Sequence, residues 1–144
     1  MILLGAPLAG KTTLRQRLAN QLQFTSFELG SLLRGLAAKT SKSPYTELAN
    51  NVLNKGILLD DVVAEKIFRH YVHVKIEESL VTDGFPRTKG AVFGFVRYMR
   101  QSGRDIKKVL VVHLLLGKEI ALARASVRGR SDDQDENVLM LSLI

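Results

Sequence analysis

Residues 5–12 read Gly5-Ala6-Pro7-Leu8-Ala9-Gly10-Lys11-Thr12, the pattern G-x-x-x-x-G-K-[ST]. Met1-Ile2-Leu3-Leu4 precedes it as an apolar run suited to a buried strand. Lys11 to Leu22 follows as an amphipathic stretch, with Leu14, Leu18 and Leu22 spaced four apart. Strand, glycine loop and helix are what a phosphate cradle needs. The loop turns its N–H groups inward, and the helix N-terminus adds partial positive charge. Lys11 is placed to reach the β- and γ-phosphates of a nucleotide, and the Thr12 hydroxyl to hold Mg²⁺. The plainer alternative is a glycine-rich turn before an ordinary helix.

The bulk properties predict one soluble domain. A chain of 144 residues is near the common domain size. The hydrophobic fraction of 46% is ordinary for a globular protein. With no cysteine, disulfides and thiolate metal sites are excluded. The three histidines, His70, His73 and His113, form no clustered ligand set. His70 and His73 are expected on one helix face, as surface or packing residues. Gly5 and Pro7 interrupt the apolar N-terminus and no basic residue opens it, so it reads as a strand and not a signal peptide. No apolar run approaches the roughly 18 residues of a membrane helix. The expected compartment is the cytoplasm. The formal net charge of +7 suits an anionic partner. The basic residues are scattered, and aromatics lack stacking spacing, so phosphate handling is a better reading than a nucleic-acid platform.

Further along, helical and strand signals alternate, which predicts an α/β fold with a parallel sheet covered by helices on both faces. Phe24–Glu28 is a short strand or extended loop, and Gly30–Lys39 a helix with Leu32, Leu33 and Leu36 on one side. Ser43-Pro44 predicts an N-cap and first helical position for a helix reaching Asn54. Asp60 or Asp61 starts another, with Val63, Ile67 and Tyr71 four apart. Leu80–Thr82 is a strand stopping at Asp83, Thr88–Gln101 a helix, and Glu119–Arg128 another. Val109–Leu116 is apolar on both faces, the pattern of a covered parallel strand. Met1–Leu4 is expected at the centre, between Leu80–Thr82 and Val109–Leu116.

Two further groups carry chemistry. In Asp83-Gly84-Phe85-Pro86-Arg87-Thr88, an acid at a strand's carboxyl end would lie beside the phosphate loop and orient Mg²⁺ waters. Gly84 allows close approach of a ligand, and the Arg87 fork suits phosphate. A plain strand-to-helix turn with Asp83 as N-cap reads equally well. Arg124, Arg128 and Arg130, followed by Ser131-Asp132-Asp133, concentrate positive charge as phosphoryl transfer requires. An exposed basic helix end balanced by Asp132 and Asp133 is the alternative.

Taken in order, these segments resemble the adenylate kinase family of nucleoside monophosphate kinases, over nearly the whole chain. Gly5–Thr12 looks like its ATP phosphate loop; Gly5, Ala6, Pro7, Leu8, Ala9, Gly10, Lys11, Thr12 and Thr13 would contact the donor. Gly30-Ser31-Leu32-Leu33-Arg34 is similar to the family's S-T-G-D-x-L-R, which implies monophosphate contacts from Gly30, Ser31 and Arg34. Gly56–Asp61 resembles G-K-L-V-x-D, placing Leu58 and Leu59 in the monophosphate pocket. Asp83–Thr88 matches D-G-F-P-R-T residue for residue, with Gly84 and Arg87 at the acceptor. Glu119–Arg128 looks like the segment carrying ATP-side arginines, Arg124 near the adenine and Arg128 at the phosphates. Arg130-Ser131-Asp132-Asp133 is similar to R-x-D-D, which implies a monophosphate contact from Arg130. The resemblance implies a three-layer αβα fold and one domain over 1–144. Residues 29–60 would be its helical monophosphate-binding insertion and 128–130 a vestigial lid. It implies transfer of the γ-phosphoryl group of ATP to AMP. Lys11, Asp83, Arg87, Arg128 and Arg130 would be catalytic, and Mg²⁺ would be held by Thr12 and Asp83, partly through water. It implies neither a nucleic-acid nor a membrane partner, and a monomer.

The chain departs from the family at definite points. Leu8 stands where the loop usually has Gly, which predicts a side chain crowding the cradle. Leu29 and Ser31 replace Thr and Asp, and Ala91 replaces the Gln that reads the acceptor adenine. Only Gly129 separates Arg128 from Arg130, and Leu141 falls at an Arg position. The family continues into another strand and helix, expected to be missing here. Residues Val138–Ile144 are nearly all apolar, which predicts either an end covered by a partner or a truncated or altered product. Two other functions remain open: a catalytically weak ATP-binding module, and a phosphate-loop kinase of another small molecule.

Overall fold

The computed structural model describes residues 1–38, 44–55, 59–75 and 77–128. Its elements alternate as the sequence pattern requires. Strand β1 (Ile2–Gly5) leads into α1 (Lys11–Leu22), β2 (Thr25–Glu28), α2 (Leu29–Ala38), α3 (Thr46–Lys55) and α4 (Asp61–Tyr71). Then come β3 (Leu80–Asp83), α5 (Lys89–Gln101), a single 3-10 turn (Ile106–Lys108), β4 (Val111–Leu114) and α6 (Lys118–Arg128).

The four strands form one parallel sheet in the order β2-β3-β1-β4, flanked by the six helices. β1 is central, as expected. The chain leaves β1 towards β2 on one side, and leaves β3 towards β4 on the other. The carboxyl ends of β1 and β3 are therefore the switch point, where open α/β sheets bind ligands. Register places Leu3 opposite Asp83 and Glu28 opposite Asp83, so two carboxylates stand on neighbouring strand ends.

An aromatic cluster on one sheet face fixes this arrangement. Phe68 of α4 stacks on Phe85 at 4.6 Å and meets Phe27 edge-on at 5.2 Å and Tyr98 at 4.9 Å. Phe68 and Ile67 are fully buried. Side chains alternate across a strand, so Ile2 and Leu80 join this cluster while Leu3 and Val81 face the other way, where α1 packs. Helices α4 and α5 approach closely at Gly94, where a Cβ would collide with the Glu65 carboxylate. Glu65 accepts from Arg69 at 2.8 Å and from Arg97 at 2.6 Å, pinning the two helices. The Arg97 hydrogen bond is the main cause holding the Glu65 carboxyl below its usual range; burial opposes it and Arg69 assists.

Several expectations are corrected. The strand over Val109–Leu116 is confined to Val111–Leu114 and is the sheet's edge among the described residues. It is not covered on both faces: Leu110, Val111 and Leu115 are 55%, 52% and 83% exposed. Apolar composition does not say whether a strand has two neighbours. In α1, Leu14 and Leu18 are half-buried and Leu22 is exposed, so that helix buries no residue fully. Helix α3 begins at Thr46, with Pro44 and Tyr45 in a turn; the expected cap Ser43 lies outside the described residues. His73 lies beyond the end of α4, so it does not share a helix face with His70. His70 instead packs edge-on between Tyr45 and Tyr71. The N-cap of α5 is Thr88, not Asp83: its hydroxyl accepts from the Ala91 N–H at 3.1 Å.

Candidate phosphoryl-transfer site

The loop from Gly5 to Gly10 wraps the end of β1. Gly5 has φ 135, and a Cβ there would strike the Leu114 carbonyl of β4, so only glycine fits where the strands part. Lys11 Nζ donates to the carbonyls of Gly5 at 2.8 Å and Ala6 at 2.7 Å, drawing the loop around its own ammonium. Gly10 is the N-cap of α1 and offers no side-chain cap, so the first-turn amides at Lys11, Thr12 and Thr13 present their N–H groups to the loop. Leu8 takes the left-handed region at φ 68, a conformation that glycine adopts without cost. A non-glycine residue there stores roughly 1–2 kcal/mol. The Leu8 carbonyl accepts from Arg124 Nη1 at 2.8 Å, which ties α6 to the loop.

Asp83 lies at the centre of the crevice and is only 4% exposed. Burial raises its carboxyl above the usual carboxylate range, and Glu28 adds to this; Lys11, Arg87 and Arg15 pull the other way. One buried acid thus feels the loop lysine and Arg87 together. A divalent cation bound there would hold the carboxylate ionised. Thr12, in the first turn of α1, supplies a hydroxyl oxygen of the kind Mg²⁺ prefers. The donor set present therefore fits Mg²⁺.

Beside Arg87, a cavity of about 100 Å³ is lined by Leu29, Gly30, Leu33, Val52, Leu59, Asp61, Ala64, Gly84, Phe85, Arg87, Thr88 and Ala91. It gathers Gly30, Leu59, Gly84 and Arg87 from separate segments. The Arg87 fork folds back over Gly84, with Nη2 at 3.4 Å from where a Cβ would stand. Ser31 and Arg34 are not in this cavity. Ser31 lines a wider cleft of about 380 Å³ with Arg15, Ser26, Glu28 and Tyr71. Arg34 pairs with Glu28 at 3.2 Å. Leu58, Arg130 and the Arg128 side chain lie outside the described residues.

Sequence reading missed Glu28 and Arg15. Glu28 accepts from Arg15 at 2.6 Å and from Arg34, and so joins α1 to α2 beneath the crevice. The available signal was an acid ending a short strand, the same signal that singled out Asp83.

Comparison with known proteins agrees with this geometry. A family model described as an AAA domain matches residues 4–139. The chain is 31% identical over 140 residues to an adenylate kinase of Thermus thermophilus, covering 96% of this chain and 72% of the relative. It is 31% identical over 147 residues to adenylate kinase of a Synechococcus species, covering 99% and 74%. It is also 31% identical over 142 residues to adenylate kinase of Phenylobacterium zucineum, covering 95% and 73%. A phosphate loop at the switch point of a parallel sheet, an acid on the next strand and relatives matched from end to end of the chain together show that it belongs to the adenylate kinase family of phosphate-loop nucleotide kinases.

Proposed function

We propose that this chain transfers the γ-phosphoryl group of ATP to a nucleoside monophosphate, AMP or a related one, giving two nucleoside diphosphates. The observation that carries the proposal is Asp83, buried between Lys11 of the phosphate loop and Arg87 of the acceptor cavity. Residues Gly5–Thr13 bind the donor phosphates through backbone N–H groups and Lys11, while Arg124 braces the loop through the Leu8 carbonyl. Arg87, with Gly84 and Gly30, receives the acceptor phosphate. Asp83 and Thr12 would hold Mg²⁺, which when bound neutralises charge developing on the transferred group. The protein forms no covalent intermediate in this scheme; it aligns two anions and offsets their repulsion. Arg128 and Arg130 are assigned to the transferring phosphoryl group on the family resemblance.

A second reading, an ATP-binding module with little turnover, is favoured by one backbone conformation and one contact. Leu8 occupies the left-handed position of the cradle, and Glu28 engages Arg34.

The test is a crossed pair of variants measured by calorimetry. Lys11→Ala should weaken ATP at least tenfold and spare monophosphate. Arg87→Ala should weaken monophosphate at least tenfold and spare ATP, since each charge-assisted bond lost costs about 1.5–3 kcal/mol. Equal losses for both ligands would mean the subsites are misassigned. Measurable diphosphate formation by the unaltered chain separates the transferase from the binding module.

A further inference from the structure

Two carboxylates of α4 are seated over two glycines of α5. Asp61 and Glu65 lie four apart on one face of α4, and Gly90 and Gly94 lie four apart on α5. A Cβ at Gly90 would stand 2.9 Å from Asp61 Cγ, and one at Gly94 2.8 Å from Glu65 Cδ. Each carboxylate occupies space that a side chain would take, so the two seats fix the register of α5 against α4. Arg69 and Arg97 hold Glu65 in its seat. Thr88 holds Asp61, its hydroxyl donating to Asp61 Oδ1. Asp61 is available for this because Asp60 caps α4, accepting from the N–H groups of Val62 at 2.9 Å and Val63 at 3.2 Å.

Thr88 directly follows Arg87. Its hydroxyl donates to Asp61 and accepts from the Ala91 N–H at 3.1 Å, so it caps α5 in one orientation. Arg87 is exposed, and its guanidinium rests on Gly84, with Nη2 at 3.4 Å and Nε at 3.6 Å from where a Cβ would stand. An exposed fork on a long stem is aimed by the backbone it grows from. That backbone is restricted on one side by the Pro86 ring and on the other by the Thr88 cap. We propose that Asp61 is a positioning residue for the acceptor site: its bond to Thr88 fixes the start of α5 and thereby the direction in which Arg87 meets the acceptor phosphate. This rests on the reading of Arg87 as the phosphate-binding arginine. Charge alone predicts the reverse effect. Asp61 lines the same cavity as Arg87, and a carboxylate there repels an incoming phosphate. Removing Asp61 therefore weakens phosphate binding if it positions Arg87, and strengthens it if only its charge matters.

Calorimetric titration of AMP and of ATP into the full chain carrying Asp61→Ala, Asp61→Asn or Thr88→Val tests this. Asp61→Ala and Thr88→Val should each weaken AMP about tenfold or more, since a small misplacement of a positioned group is costly, and leave ATP within about twofold of the parent. Asp61→Asn removes the charge but keeps an oxygen that accepts from Thr88, so its AMP affinity should stay within about threefold of the parent. In an Arg87→Ala background, the further loss caused by Asp61→Ala should shrink below about threefold, because residues acting through one another are not additive. AMP bound by Asp61→Ala as tightly as by the parent, or a loss undiminished in the Arg87→Ala background, would overturn the positioning role while leaving the acceptor site in place. If Arg87→Ala alone leaves AMP affinity unchanged, the reading of Arg87 is wrong and the inference falls with it. Thr88→Val keeps the side chain's shape and carries the same comparison should Asp61→Ala not fold.

Discussion

Glu28 accepts from Arg34 at 3.2 Å with one oxygen and from Arg15 at 2.6 Å with the other. The arginine that resembles a monophosphate ligand is thus already engaged by a carboxylate from the neighbouring strand end. On the proposed function, a phosphate approaching Arg34 competes with Glu28 for it and also approaches a negative charge. Glu28→Gln removes that charge while keeping the shape. Monophosphate affinity is expected to rise about fivefold, roughly 1 kcal/mol of relieved repulsion at a part-exposed site. Arg15 and Glu28 are both largely buried, so the same variant should lose about 1–3 kcal/mol of stability. Calorimetry and urea unfolding read the two effects separately; a weaker monophosphate affinity would mean that Glu28 helps hold the ligand.

Asp83 presents the opposite balance. Burial raises its carboxyl, so the ionised form is disfavoured in the fold. An acid whose folded pKa lies above its unfolded one costs stability when ionised, and the cost fades as pH falls through the folded value. Asp83→Asn should therefore unfold at a higher temperature than the parent at neutral pH, with the gap closing in acid. Phosphoryl transfer should fall at least a hundredfold, because the carboxylate beside Lys11 is gone. A lower melting temperature at neutral pH would show that Lys11 and Arg87 more than offset the burial.

At Gly94 the space between α4 and α5 is already taken by Glu65, whose Cδ would lie 2.8 Å from an added Cβ. Gly94→Ala must push the carboxylate off Arg97 and Arg69. A loss of about 1–3 kcal/mol is expected by denaturant unfolding. The pH profile gives an independent reading. The Glu65 carboxyl is held low, so its contribution is present above the ordinary glutamate range and lost as pH falls through the lowered value. The parent should lose stability in acid more steeply than Glu65→Gln does.

Leu8 offers a gain. Its left-handed backbone, φ 68, is one that glycine adopts freely. Leu8→Gly relieves roughly 1–2 kcal/mol of strain and returns about 0.5–1 kcal/mol to the unfolded chain's entropy. Stability should change little. ATP affinity should rise severalfold if the Leu8 side chain crowds the cradle as the sequence predicts. An unchanged affinity would show that Leu8 points clear of the phosphates.

The sequence alone determined the frame. Gly5–Thr12 after an apolar strand permitted one local structure, because only a glycine-rich turn into a helix can offer backbone N–H groups to phosphate. The alternation of elements made the sheet parallel, and the order of β1 and β3 put Asp83 beside the loop. Those features are local or topological, and short-range pattern carries them. What the sequence left open is pairing between distant side chains. The same acid-then-loop signal occurs at Glu28 and Asp83, yet one pairs with two arginines and the other is buried and pushed towards protonation. Arg34 and Arg87 look equivalent as phosphate forks, yet only Arg87 lines the acceptor cavity. Val109–Leu116 reads as a covered strand, yet it lies at the edge among the described residues. Composition records how apolar a segment is. The neighbours, and with them the charge state and exposure, are set by contacts between residues far apart in the chain, and these exist only once the fold has closed.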